Sequence, residues 1–242
     1  MKMICHGIDI SRDDVSCNTE LIKKIENDLL KLNDKTEYSI LSNVTGDDIV
    51  VTSVIEDDND LESVNREIYE IFKKNAEGFD DLDGVSLKRE EAGEGISYVE
   101  IDLNPNFLPD AVVIGFDTYC GESFVDKVAE CAVNAATNMD YVGEIGSSVT
   151  SSIKHIPGVG YVSQETDDPV IVVSVENVEH IGVVAGAMVG AILGNKNTYL
   201  VKRNTPINVV PGSVIFSVSA VMNGNVIDLA EYFSYRSQII SR

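Results

Sequence analysis

Thr45-Gly46-Asp47-Asp48-Ile49-Val50-Val51-Thr52-Ser53-Val54-Ile55-Glu56 is the stretch on which the architecture turns. A Thr-Gly-Asp turn opens it, and Asp48 to Ile55 follows as a largely β-branched run that reads as a buried strand. Tyr38 to Leu41, before the turn, reads as its neighbour. At a constant offset of 120 residues, Asp167-Asp168-Pro169-Val170-Ile171 with Glu176 matches Asp47-Asp48-Ile49-Val50-Val51 with Glu56. The same offset carries Leu61, Val64 and Ile68 onto Ile181, Val184 and Met188. A pattern that returns at fixed spacing points to an internal duplication.

Working outward, Met3 to Ile10 is an apolar segment bounded by polar residues and reads as the first strand. Asn18 or Thr19 caps a helix whose buried face is Ile22, Ile25, Leu29 and Leu32, spaced by three and four. After the strand pair, Asn59 with Glu62 offers a capping box to a helix carrying Leu61, Val64, Ile68 and Ile71 or Phe72. A polar stretch from Glu77 to Gly95 leads to a strand at Ile96 to Leu103. The order is βαββαβ, the ferredoxin-like unit.

The second half repeats that order. Asp110 to Phe116, Tyr141 to Ile145, Pro169 to Val175 and Thr198 to Lys202 read as strands. Gly121 to Thr137 and Asn177 to Leu193 read as helices, the first with Phe124, Val128, Ala132 and Ala136 in register. Gly7-Ile8-Asp9 and Gly115-Phe116-Asp117 end the first strand of each half, and Cys17 and Cys120 follow them. Ser213 to Met222, Asn223-Gly224 and Asn225 to Leu229 form a hairpin closed by a two-residue type I′ turn. The expected fold is therefore α+β: two ferredoxin-like units, an internal duplication, plus a C-terminal β-hairpin. The units are residues 1–104, and residues 105–242 with a Ser/Thr/Gly-rich insertion at 146–166.

The chain has 242 residues, 40 of them Asp or Glu against 18 Lys or Arg, for a formal charge of −22. That balance repels nucleic acid and anionic membrane surfaces, so neither is an expected partner. Hydrophobic residues at 44% exclude a disordered chain. The excess is uneven, since 25 of the 40 acids and 11 of the 18 bases precede residue 101. The N-terminus lacks the layout of a signal peptide, and four scattered cysteines form no CxxC pair, which together point to a cytoplasmic protein with free thiols. The apolar run Ile181 to Gly194 is shorter than the roughly 18 residues needed to span a bilayer.

Candidate chemistry concentrates in the second half. Asp117-Thr118-Tyr119-Cys120-Gly121-Glu122-Ser123 joins a strand end to a helix start, where crevices form and anions are attracted. The helix start lowers the pKa of Cys120, while Asp117 and Glu122 oppose that shift. In the insertion, Ser147, Ser148 and Thr150 supply hydroxyl donors to a phosphate or carboxylate, with Lys154 as countercharge. The expected catalytic residues are Cys120, Glu122 and His155, with Asp117 or Glu144 orienting the base; Asp117, Ser147, Ser148, Thr150 and Lys154 are the expected ligand-binding residues. His6, His155 and His180 show no HxH or HExxH spacing, no P-loop, Rossmann or EF-hand pattern occurs, and no metal site is expected. No cofactor is identifiable.

Gly182, Gly186 and Gly190 recur every four residues in the second helix of the second half. Each costs about 0.5–1 kcal/mol against alanine in a helix interior, so a close contact must offset them. The expectation is a homo-oligomer built through this helix or through the C-terminal hairpin. Two functions follow: a cytoplasmic enzyme of small-molecule metabolism that binds a small anionic metabolite, or a non-catalytic ligand-sensing or assembly module.

Overall fold

The computed structural model describes residues 1–32, 34–78, 97–103, 110–118, 122–138, 144–147, 159–162, 170–176, 180–209 and 212–230. It is a mixed α+β structure with two β-sheets and, among the described residues, four α-helices. Sheet A has the order β2-β3-β1-β4-β7, from β1 (Lys2–Asp9), β2 (Tyr38–Thr45), β3 (Asp48–Ile55), β4 (Ser97–Asp102) and β7 (Val159–Val162). Sheet B has the order β11-β10-β5-β8-β6, from β5 (Asp110–Thr118), β6 (Glu144–Ser147), β8 (Val170–Glu176), β10 (Val214–Met222) and β11 (Asn225–Asp228). Neighbours along both orders are antiparallel.

The strands alternate sides, and the alternation builds four layers. Ile4 and Ile8 of β1 face Leu21, Ile25 and Leu29 of α1 (Thr19–Leu29) and Val64, Ile68 and Phe72 of α2 (Leu61–Asn75). Met3 and Cys5 face the other way, onto Ala111 and Val113 of β5 and Val173 of β8. Beyond sheet B, Val112, Ile114 and Phe116 of β5 pack under α3 (Glu122–Thr137) and α4 (Ile181–Leu193). Helices cover the outer face of each sheet and the inner faces pack on each other.

Local chemistry explains where the elements begin. Asn18 accepts from the backbone N–H groups of Glu20 and Leu21 at 2.9 and 2.8 Å and starts α1. The face it buries leads with Leu21 rather than Ile22, which is only partly covered. The Asn59–Glu62 capping box does not form: Asp57 caps a short 3-10 turn through Asn59 N, and α2 starts from Asp60 without a side-chain cap. His180 sits at the N-cap of α4 rather than inside its first turn.

Three departures bear on the site. β2 continues past Leu41 to Thr45, because a bulge between Leu41 and Asn43 shifts the pairing with β3. The bulge flips the alternation, so Leu41 and Val44 both face the helices while Asn43 and Thr45 face sheet B. The strand beside β5 is β10, so Ser213 to Met222 is not an appendage; Thr198 to Lys202 gives only β9 (Thr198–Leu200), parallel to β10 and off the main order. Within the insertion, β7 joins sheet A beside β4. The type I′ turn is present, with Asn223 and Gly224 at φ of 48° and 72°.

Candidate functional site

Asp9 closes β1 and pairs in register with Asp48, which opens β3, so two acidic residues stand directly opposite across the strands. Like charges so placed are unfavourable. Asp9 Oδ1 accepts from Ser11 N at 2.8 Å, and Asp13 Oδ1 from Ser16 N at 3.2 Å, which folds the 10–17 loop back over the strand end. Ile10 O accepts from Glu77 N at 2.8 Å and brings the end of α2 to the same place. The β2–β3 turn supplies Asp47, and carboxylate oxygens of Asp9, Asp14 and Asp47 all lie within 4.8 Å of one another.

The second half contributes Asp117, buried near the end of β5. Its carboxyl lies beside that of Asp47. Burial raises the pKa of Asp47; the Asp117 contact and a backbone bond oppose this, and Asp14 and Asp13 add to it, leaving the group above the ordinary carboxylate range. Two buried carboxyls placed side by side favour the protonated form of one of them.

Cys17 is bound to the same turn, with Sγ donating to Asp47 O at 2.9 Å and its backbone N–H to Gly46 O at 3.1 Å. Its thiol is pushed far up by burial, then by the negative charges of Asp9, Asp47, Asp117 and Glu77. Cys17 is therefore an unreactive thiol that holds the turn. A strap from the second half completes the frame: Gly46 N donates to Thr205 O at 3.0 Å, Asn204 N to Val44 O at 2.7 Å and Ile207 N to Val15 O at 3.0 Å.

Of the residues expected from sequence, Asp117 is the one whose side chain is described, and it joins Asp47 of the other half. Glu122 and Ser147 have described backbone at an end of α3 and of β6, but their side chains, like that of Glu144, lie outside the described set. Cys120, Ser148, Thr150, Lys154 and His155 lie outside the described residues altogether. The residues that sequence reasoning missed are Asp9, Asp14 and Asp47. One signal for them existed: Gly7-Ile8-Asp9 matches Gly115-Phe116-Asp117, so the argument that selected Asp117 applied equally to Asp9. Cys5 and His6 point to opposite faces as expected, Cys5 between the sheets and His6 against Phe72 and Tyr98.

Gly182, Gly186 and Gly190 are exposed, and a Cβ added at any of them would meet nothing within 4 Å among the described residues. The buried face of α4 is instead Ile181, Val184, Ala185, Met188 and Ile192. Among the described residues no helix is long and apolar enough to cross a membrane.

Two archaeal proteins resemble this chain along nearly all of its length. An "Uncharacterized protein" of Methanothermobacter thermautotrophicus is 48% identical over 241 residues, 99% of this chain and 98% of the relative. "Uncharacterized protein MJ1676" of Methanocaldococcus jannaschii is 43% identical over 227 residues, 92% of each. Among solved structures, that of an unknown protein from Galdieria sulphuraria matches 91% of this chain and 98% of its own at 9% identity, with a TM-score of 0.22, too low for any argument about fold. The family described as "Uncharacterised conserved protein UCP005278" matches residues 2–237, and the chain belongs to that family.

Proposed function

We propose that the protein is a cytoplasmic enzyme of small-molecule metabolism that binds a divalent cation at Asp9, Asp14 and Asp47 and, through that cation, a small anionic metabolite. The observation that carries this reading is the convergence of those three carboxylates beside the Asp47–Asp117 pair. Hard divalent cations take carboxylate oxygens at about 2.0–2.6 Å, which sets neighbouring ligand oxygens about 3–4 Å apart. Magnesium keeps open positions for waters and for the phosphate or carboxylate of a substrate. A cation thus reconciles an acidic site with an anionic ligand, and the chain's charge of −22 draws cations toward it. When bound it would neutralise and polarise the metabolite. Asp117 leads in sequence into the loop of Cys120 and Glu122, which remain the proposed proton-transfer groups with His155; Ser147, Ser148, Thr150 and Lys154 remain the proposed anion donors.

The test is calorimetric titration of the full chain with Mg²⁺, Mn²⁺ and Ca²⁺, followed by inorganic phosphate and small carboxylates with and without cation. Binding of at least one cation is expected, weakened tenfold or more in Asp9→Asn and Asp47→Asn, with phosphate binding dependent on the cation. No heat from any of the three cations overturns the reading.

The strand orders support a finer account of the fold as two copies of one plan, residues 1–104 and 105–242. β4-β1-β3-β2 in sheet A corresponds to β10-β5-β8-β6 in sheet B. Each is the order of a ferredoxin-like unit.

A second reading, assembly, is favoured by the outward glycine row. Val183 and Leu193 of α4 are 44% and 50% exposed, and the helix carries no charged side chain. In a chain of charge −22, that face lets two copies meet without opposing like charges.

A further inference from the structure

Asn43 is fully buried between the sheets, and its Nδ2 donates to Val113 O at 3.1 Å, Ser217 O at 3.1 Å and Ser217 Oγ at 3.0 Å. A buried amide in an apolar seam is costly unless bonded, and here every acceptor belongs to the other half of the chain. Two residues on, Thr45 Oγ1 bonds to Ser217 Oγ and lies 3.5 Å from Gly115 O. Two residues further, Asp47 meets Asp117. Along β2 and its turn, residues 43, 45 and 47 therefore step in register with 113, 115 and 117 of β5. Gly115 lies directly against β2 and β3: a Cβ there would be in van der Waals contact, at 3.4 Å, with Asn43 Cβ, Thr45 Oγ1 and Val50 Cγ2.

We infer that Asn43 and Thr45 are positioning residues, clamped by Ser217, that fix the packing of the two sheets and so hold the Gly46–Asp47 turn of one half against Asp117 of the other. The inference rests on the proposed site for its functional meaning, but the clamp itself stands on the hydrogen bonds named above. The β2 bulge is what aims Asn43 into the seam, and Ser42 at that bulge is held by Ser219, whose Oγ donates to Ser42 O at 2.6 Å.

Cys17 reports on the turn independently of any cation, since its thiol and its backbone N–H are both held there, by Asp47 O and Gly46 O. Iodoacetamide labelling of the full chain, resolved by peptide mass spectrometry, would compare wild type, Asn43→Ala, Ser217→Ala and Ile25→Val. The last is a control in the α1 core, far from the seam, matched to Asn43→Ala by adjusting temperature to equal fraction unfolded. Asn43→Ala and Ser217→Ala are expected to label Cys17 at least tenfold faster than the control, and the double variant to fall short of the product of the two effects. Equal labelling of Asn43→Ala and the control overturns the inference. Mn²⁺ titration of the same proteins separates the two ideas: a wild type that binds no cation removes the proposed site, whereas unchanged Mn²⁺ affinity in both seam variants removes the positioning role.

Discussion

Gly46 and Asp117 occupy each other's side-chain space: a Cβ on Gly46 would stand 1.7 Å from Asp117 Oδ2. Gly46 also has φ of 62°, a conformation that costs other residues roughly 1–2 kcal/mol. Gly46→Ala should therefore lower stability by about 2 kcal/mol or more, measured by urea denaturation. Asp117→Ala in the same chain should recover part of the loss by removing the clash and leaving the backbone strain. A Gly46→Ala protein that unfolds at the wild-type urea concentration would show that the two halves do not meet as described.

The elements were legible where one residue class repeats at one period. β3 is a β-branched run and α2 an apolar stripe; both stand where the pattern places them, and α2 buries Leu61, Val64, Ile68, Ile71 and Phe72. What failed to show were the places where tertiary contacts override pattern. Ser42, Asn43 and Thr45 look like a loop, yet they continue β2: Ser42 Oγ donates to Val50 O of the neighbouring strand, while Asn43 Nδ2 and Thr45 Oγ1 bond across the seam to Val113 O and Ser217. β10 reads as a strand in the sequence, but its place beside β5 is set by long-range pairing that one sequence does not encode locally. The site is similar. Asp117 was visible as a strand-end acid, but Asp14 and Asp47 lie 33 residues apart in no ligand motif and converge only through the loops that Ser11, Cys17 and Thr205 hold in place.

The Asp47 carboxyl has a folded pKa above its unfolded value, so the folded state favours its protonated form. Stability from this group is full below the unfolded pKa and is lost as pH rises through the folded one. Asp47→Asn, which mimics the protonated carboxyl, should thus be relatively more stable than wild type at pH 7 than at pH 4. Urea melts across that range read the difference directly, and a gap between the two proteins that does not change with pH would contradict the buried pair.

His6 behaves in the opposite sense. Burial, opposed by a hydrogen bond with Asn65, lowers its pKa to about 4, with its ring between Phe72 and Tyr98. The folded state keeps it neutral, so its contribution is full above the unfolded value near 6.5 and is lost as pH falls toward 4. The loss is on the order of 3 kcal/mol if the shift is fully expressed. His6→Phe should flatten this part of the profile. An NMR titration in which the His6 ring takes up its proton near pH 6.5 in the folded protein would refute the assignment.

The glycine row of α4 separates assembly from folding. Because a Cβ at position 186 meets nothing among the described residues, Gly186→Leu should leave the isolated chain intact and add up to about 1 kcal/mol through helix propensity. Its cost would fall entirely on a neighbouring copy, since a leucine prevents the close backbone approach that a glycine row permits. Light scattering after size exclusion should then give a multimeric mass for wild type and a lower one for Gly186→Leu, at equal or higher melting temperature. If wild type runs as a monomer at high micromolar concentration, the row has no partner of its own kind and the assembly reading fails. If Gly186→Leu keeps the wild-type mass, the copies meet through another surface, and the exposed Val183 and Leu193 need a different explanation.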